Sequence, residues 1–237
     1  MKILLLSSEV QMESIEQLSS LGYEIFTLPA HNTLPKAISS HPDSLVFRGR
    51  DRIIVDNDYY LENIELFRSI AARRPELRIV TSLDGLGDKY PYDARLNAIV
   101  IGNKLFCHLK SISRAITEYA EELGLELVDT KQGYPACSTL KIAENAVICA
   151  DRGLSSTYRR QGIFVYEIEP GGILLPPYEY GFIGGACAVL GDRVCFFGEL
   201  SEHPSHEIIG GALKEHSLLP VSIAHSVLKD IGGGILL

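Results

Sequence analysis

The chain has 237 residues, 46% of them hydrophobic and 22% charged, with a net charge of −8. That profile fits a globular protein with a sizeable core and contains no run long enough to read as a membrane span. The acidic balance speaks against a nucleic-acid or anionic-membrane partner, since phosphates are met by clustered Lys and Arg.

Five cysteines without a C-x-x-C pair or a signal-like leader fit reduced thiols in a cytoplasmic setting. Neither G-x-G-x-x-G nor G-x-x-x-x-G-K-[ST] occurs, so a nucleotide site of either kind has no support.

In chain order, an apolar strand KILLL opens at Lys2, followed by a helix MESIEQLSSLG and a strand YEIFTLP. After a loop, SLVFR and RIIV flank a tight turn at 49–51, and LENIELFRSIAARRPE reads as helix before the strand ELRIVTS. The same succession follows with NAIVI and KLFC about the turn at 102–103, the helix SISRAITEYAEELG and the strand LELVDT. In that helix Ile112, Ile116, Tyr119 and Leu123 fall on one stripe, and Gly124 is placed to end it. STLKI and AVIC about 143–145 lead to LSSTYRRQG and IFVYEI, and ACAVL and RVCF about 191–192 lead to SHEIIGGALKEH and LLPVSI. The chain closes on DIGGGILL.

The post-turn strands begin at Lys2, Arg52, Lys104, Ala146 and Arg193, some 42 to 52 residues apart. Such a period marks a repeat architecture. The first copy lacks a pre-turn strand, and GGILL at the C-terminus supplies one. The predicted fold is therefore an α/β propeller of five pseudo-symmetric ββαβ-type units, closed by pairing of the terminal strands, in a single domain spanning 1–237. Closure also removes the exposed edge that a terminal apolar strand would otherwise present. A doubly wound α/β protein with two lobes leaves the period unexplained.

This ring resembles the pentein fold of the guanidine-modifying enzymes, which include arginine deiminase, agmatine deiminase, dimethylarginine dimethylaminohydrolase and the amidinotransferases. IGGACAVLGDRVCFFG (183–198) is similar to that superfamily's Glu-Gly-Gly-Asp strand and the Gly-Asp hairpin after it. YPACSTLKI and DIGGGILL are similar to its Gly-rich, Cys-bearing strand. The whole chain also resembles a bacterial family within the superfamily. The resemblance implies a Cys thiolate that attacks the guanidinium carbon and a His that carries protons. It further implies two carboxylates that grip the planar cation.

In the superfamily's usual order the site is broken. Nothing follows Leu237 to act as nucleophile, and Ile183 and Ala186 stand where Glu and Asp belong. A ring can be entered at another unit, however. Asp230 in KDIGGG, His41 and Asp43 one unit on in HPD, and Cys137 two further units on in YPACS keep the spacing of the motif set. All four precede a pre-turn strand, where the five loops are expected to meet on the axis. Each has a structural reading as well: Cys137 as a small buried hydrophobe, His41–Pro42–Asp43 as a turn, and Asp230 as a cap before the glycines.

Those loops also carry Tyr90, Tyr92, Tyr134, Tyr178 and Tyr180 together with Asp84, Asp88, Asp93 and Glu179. Aromatic faces with carboxylates suit a small cationic ligand of guanidine or amine type, with Asp93, Tyr134, Glu179 and Tyr180 as expected contacts. His203 and His206 stand three apart, but HPSHE reads better as a helix start than as a metal pair, and neither metal nor cofactor is expected. Two functions remain open. One is a hydrolase or transferase on a guanidine- or amidine-type molecule, through Cys137, His41, Asp43 and Asp230. The other is a catalytically inactive pentein-fold protein that binds a ligand or a protein partner.

Overall fold

The computed structural model describes residues 2–237. In the second unit Val46–Arg48 turns into Arg52–Asp56, and the chain returns through helices Asn57–Glu62 and Ile64–Arg73 to Arg78–Ser82. Unit three consists of Ile99–Ile101, Lys104–Cys107, the helix Arg114–Glu122 and Glu126–Asp129. Unit four consists of Thr139–Ala143, Ala146–Cys149, the helix Arg152–Arg160 and Phe164–Glu167. Unit five consists of Cys187–Leu190, Arg193–Phe196, the helix His206–Glu215 and Leu219–Ser222. In each sheet the post-turn strand is central, antiparallel to the strand before the turn and parallel to the strand after the helix.

The first unit is completed from both ends of the chain. Lys2–Ser7 runs parallel to Tyr23–Leu28 and antiparallel to Ile235–Leu236, with Leu4 opposite Leu236 and Leu5 opposite Ile235. Leu237 N donates to Ile3 O at 2.9 Å. The central strands are buried on both faces, which is why they read as continuous apolar runs rather than as alternating ones.

Side chains on a strand alternate in direction, so each central strand feeds two different seams. Ile3 and Leu5 join Val46, Ile53, Val55 and Phe67 of the second unit, while Leu4 and Leu6 join Ala188, Leu190 and Cys195 of the fifth. The remaining clusters lie between units two and three, three and four, and four and five. Five seams thus join five units, and the seam between the fifth and the first is built like the others. Each fully buried Leu or Ile contributes about 1.5–3 kcal/mol, so ring closure rests on the same burial as every other joint.

The structure refines several boundaries. Ser44 and Leu45, expected in a strand, belong to a short helical turn, Pro42–Leu45, because Pro42 sits at its first position. The helix expected at 61–76 starts earlier, at Asn57, where the Asp56 carboxylate accepts from Asp58 N and Tyr59 N, and it breaks at Asn63. A two-stranded parallel pair, Ile173–Leu174 with Leu228–Lys229, joins two loops that carried no strand signal. Among the described residues, no helix is long and apolar enough to cross a membrane.

Candidate functional site

The loops that enter the pre-turn strands converge at one end of the ring. Asp230 comes from the segment before Ile235–Leu236. Its Oδ2 accepts from Phe182 N at 2.8 Å and its Oδ1 from Gly232 N at 3.0 Å. Gly185 lies so close against this carboxylate that a Cβ there would overlap Asp230 Oδ1. Its N–H donates to Cys137 O, and its own carbonyl accepts from Ile231 N and Gly233 N. Cys137 and Asp230 are therefore fixed against the same glycine.

His41 and Asp43 come from the second unit, at the start of the turn Pro42–Leu45. Asp43 N donates to Gly232 O at 3.2 Å, and the α-carbon of Gly232 faces His41 with no room for a side chain. The His41 Nδ1 atom lies 3.7 Å from Asp230 Oδ1, and the Cys137 thiol points at the same carboxylate, with Sγ 3.4 Å from Oδ2 and 3.6 Å from Oδ1. Cys137, His41 and Asp230 place their polar atoms within 4.8 Å of one another. The same three donors are close enough for one metal ion to reach them all.

Sequence reasoning missed Asn97. It is fully buried, its Nδ2 donates to Asp43 O at 3.2 Å and its Oδ1 accepts from Ala136 N at 2.8 Å. It therefore ties the segment bearing His41 and Asp43 to the one bearing Cys137. The signal was present: Asn97 stands just before the third pre-turn strand, the position from which the other units send their polar groups.

Burial sets the protonation states here. Burial pushes Cys137 well above the ordinary thiol range, and the carboxylates of Asp230 and Asp43 push the same way. Asp43 is raised to about 8 by burial and then by Asp230. His41 is lowered by burial, which outweighs the pull of Asp230. In this state the site holds a thiol, a neutral imidazole and, at Asp43, a protonated acid. The chemistry of the resemblance calls for a low-pKa thiol, whereas burial and the two carboxylates push Cys137 the other way.

His41 and Cys137 face a cleft of about 640 Å³, and Asp93, Tyr134, Glu179 and Tyr180 line the same cleft. Asp43 and Asp230 do not line it; they lie behind Cys137 and His41, and Asp43 instead reaches a second chamber of about 580 Å³ toward the hairpin turns. Tyr92 is not on the cleft wall, and Asp84 serves a helix start, accepting from Ser113 Oγ and Arg114 N at 2.8 Å. His203 also has a local role: its Nδ1 accepts from Ser205 N just ahead of the helix at His206.

Comparison with known proteins agrees with this architecture. The model of a family of unknown function, DUF6873, matches residues 5–236. No curated protein matches the sequence. A DDAH from Pseudomonas aeruginosa complexed with citrulline superposes with a TM-score of 0.58 at 12% identity, over 98% of this chain and 95% of that one. An agmatine deiminase from C. jejuni gives 0.56 at 8% identity, over 93% and 87%. An amidinotransferase from Microseira wollei gives 0.54 at 8%, over 95% and 88%. At these identities the likeness shows the fold, and the fold is that of the penteins.

Proposed function

We propose that this chain, which belongs to the DUF6873 family, is a hydrolase or transferase of a guanidine- or amidine-type cation that binds in the loop-end cleft. Cys137 acts as the nucleophile, His41 carries protons, and Asp43 and Asp230 supply negative charge behind them. The observation that carries this reading is the convergence of Cys137 and His41 on an acid- and tyrosine-lined cleft, with Asp230 close behind both. Solved structures with this fold include a DDAH complexed with citrulline, an agmatine deiminase and an amidinotransferase, and they support the reading by analogy of fold.

The raised thiol fits this scheme. An incoming cation stabilises the thiolate and the carboxylate forms together, so ligand binding itself prepares the nucleophile. The thiol proton passes to His41, and sulfur forms a bond to the guanidinium carbon. The carbon–nitrogen bond then breaks, and His41 returns the proton to the departing amine. A thiouronium remains on Cys137. Water, deprotonated by His41, attacks that carbon, the sulfur leaves, and a ureido product and one solvent proton result. An amine in place of water makes the same scheme a transfer.

The second reading, binding without catalysis, also has an observation in its favour, since Cys137 is only 4% exposed and its thiol is held protonated. One experiment separates the two. The full chain is treated with chloroacetamidine, a cationic electrophile, and with neutral iodoacetamide, and alkylation of each cysteine is followed by site-resolved mass spectrometry. Preference for the cationic reagent at Cys137 alone, lost in His41→Ala, supports catalysis. Equal rates for the two reagents, or reaction only after unfolding, refute it.

A further inference from the structure

The charges on the cleft wall go further than a single cation. Asp88, Asp93, Asp151 and Glu179 line it, against one ammonium group, Lys89, which is exposed and next in sequence to Asp88. Among the described residues, no arginine reaches the cleft. A ligand bearing a carboxylate would therefore meet four acidic side chains and one solvated lysine, and like charges brought together across an interface cost affinity. The planar donor pair that best matches a carboxylate, a guanidinium, is not on this wall among the described residues.

A second observation is independent of the count. Asp93 is 3% exposed, and its Oδ1 has no hydrogen-bond partner although the side chain belongs to the cleft wall. Burial raises its pKa, and the Tyr134 hydroxyl beside it is raised by burial and then by Asp93. An unsatisfied buried carboxyl oxygen calls for a donor. The ring of Tyr134 stands 6.1 Å from that of Tyr90 at 40°, which gives the cleft two tilted aromatic faces beside that acid. A cation over such faces, with a carboxylate at its edge, is stabilised from both sides.

Size points the same way. A volume of about 640 Å³ falls in the range that accepts whole small molecules and leaves most of the space free once a guanidinium group is at Cys137. We propose that the ligand is an alkylguanidine whose far end is an amine, a dication without a carboxylate, with the second charge taken up by Asp93, Glu179 and the tyrosine faces. This rests on the guanidine reading above. It narrows that reading by excluding guanidino amino acids as the preferred class.

The test is calorimetric titration of the full chain bearing Cys137→Ser, which stops turnover, with agmatine, arginine and methylguanidine as probes. Agmatine is expected to bind at least about tenfold more tightly than arginine and more tightly than methylguanidine. Glu179→Gln, an exposed position where folding is not at risk, should narrow the gap between agmatine and methylguanidine; Asp93→Asn should narrow it more. If arginine binds as well as agmatine, or if neither variant changes the ratio to methylguanidine, the dication assignment is overturned while the guanidine reading stands. If none of the three binds, the guanidine reading itself fails, and this inference fails with it.

Discussion

The two ends of the ring carry cavities of nearly equal size, about 640 Å³ at the loop end and about 580 Å³ at the hairpin end, and they differ in almost everything else. The loop-end cleft gathers Cys137, His41, acids and tyrosines from segments of varied length. The hairpin-end chamber is walled by strand residues and glycines, including Ile99, Leu140, Val189 and Gly232–Gly234, with Asp43 at its inner end. Hairpin turns must be short to keep their strands in register, so they leave little freedom to place polar groups. Loops entering the pre-turn strands have no such limit. Volume alone does not identify the working end; the chemistry of the lining does.

The largest effect expected from this contrast is on turnover. Each cavity has a buried cysteine on its wall, Cys137 in the loop-end cleft and Cys187 in the second chamber. Cys137→Ser should lower turnover of a guanidine substrate by about four orders of magnitude. Cys187→Ser should change it by no more than about threefold, because its thiol donates to backbone carbonyls, Ile183 O at 3.2 Å and Gly184 O at 3.9 Å. Equal losses in the two variants would erase the distinction between the ends.

The next effect is on stability. Gly185→Ala would drive a Cβ into Asp230 Oδ1 at a backbone held by three hydrogen bonds, so neither side can yield cheaply. Denaturant unfolding is expected to show a loss of about 3 kcal/mol or more. A loss under about 1 kcal/mol would mean that the Asp230 loop is looser than its hydrogen bonds indicate.

Asp43 links the two ends, and its protonation gives a smaller, pH-dependent effect. Its folded pKa is raised from 3.8 to about 8. The folded state thus holds this proton more tightly than the unfolded chain does. The stabilisation is complete below about pH 4 and is lost as pH rises through about 8. Asp43→Asn removes that dependence. Its melting temperature relative to the parent should therefore climb between pH 5 and pH 8 and then level off. Parallel melting curves across that window would show that Asp43 is already ionised in the fold.

Much of this was legible in the sequence because four of the five units announce themselves twice, by a tight turn between apolar runs and by the helix after it, and the first by its strand and helix. All five post-turn strands begin where the period predicts, at Lys2, Arg52, Lys104, Ala146 and Arg193. The pair Ile173–Leu174 and Leu228–Lys229 was not legible, because two-residue pairing between loops leaves no periodic trace. In the site, ring spacing pointed to Cys137, His41, Asp43 and Asp230, and the structure brings these segments together. It did not reveal that Asp43 and Asp230 lie behind the cleft, nor that burial protonates the thiol, because both depend on which face of a loop turns inward. Asn97 was passed over because a lone Asn before a strand reads as a turn residue.

The smallest predicted effect tests whether the hairpin end is as plain as it looks. Gly191, in the turn between Cys187–Leu190 and Arg193–Phe196, has φ +71°, and a Cβ there would meet nothing within 4 Å. Its requirement for glycine is therefore conformational only, whereas that of Gly185 is steric. Gly191→Ala should cost about 1 kcal/mol in denaturant unfolding and leave alkylation of Cys137 unchanged. The turn is remote from the loops, and Leu190–Arg193 pairing continues on either side of it. If this variant instead altered the reactivity of Cys137, strain at a hairpin would be travelling the length of the pre-turn strand to the cleft. The two ends would then form one mechanical unit rather than a site and its support.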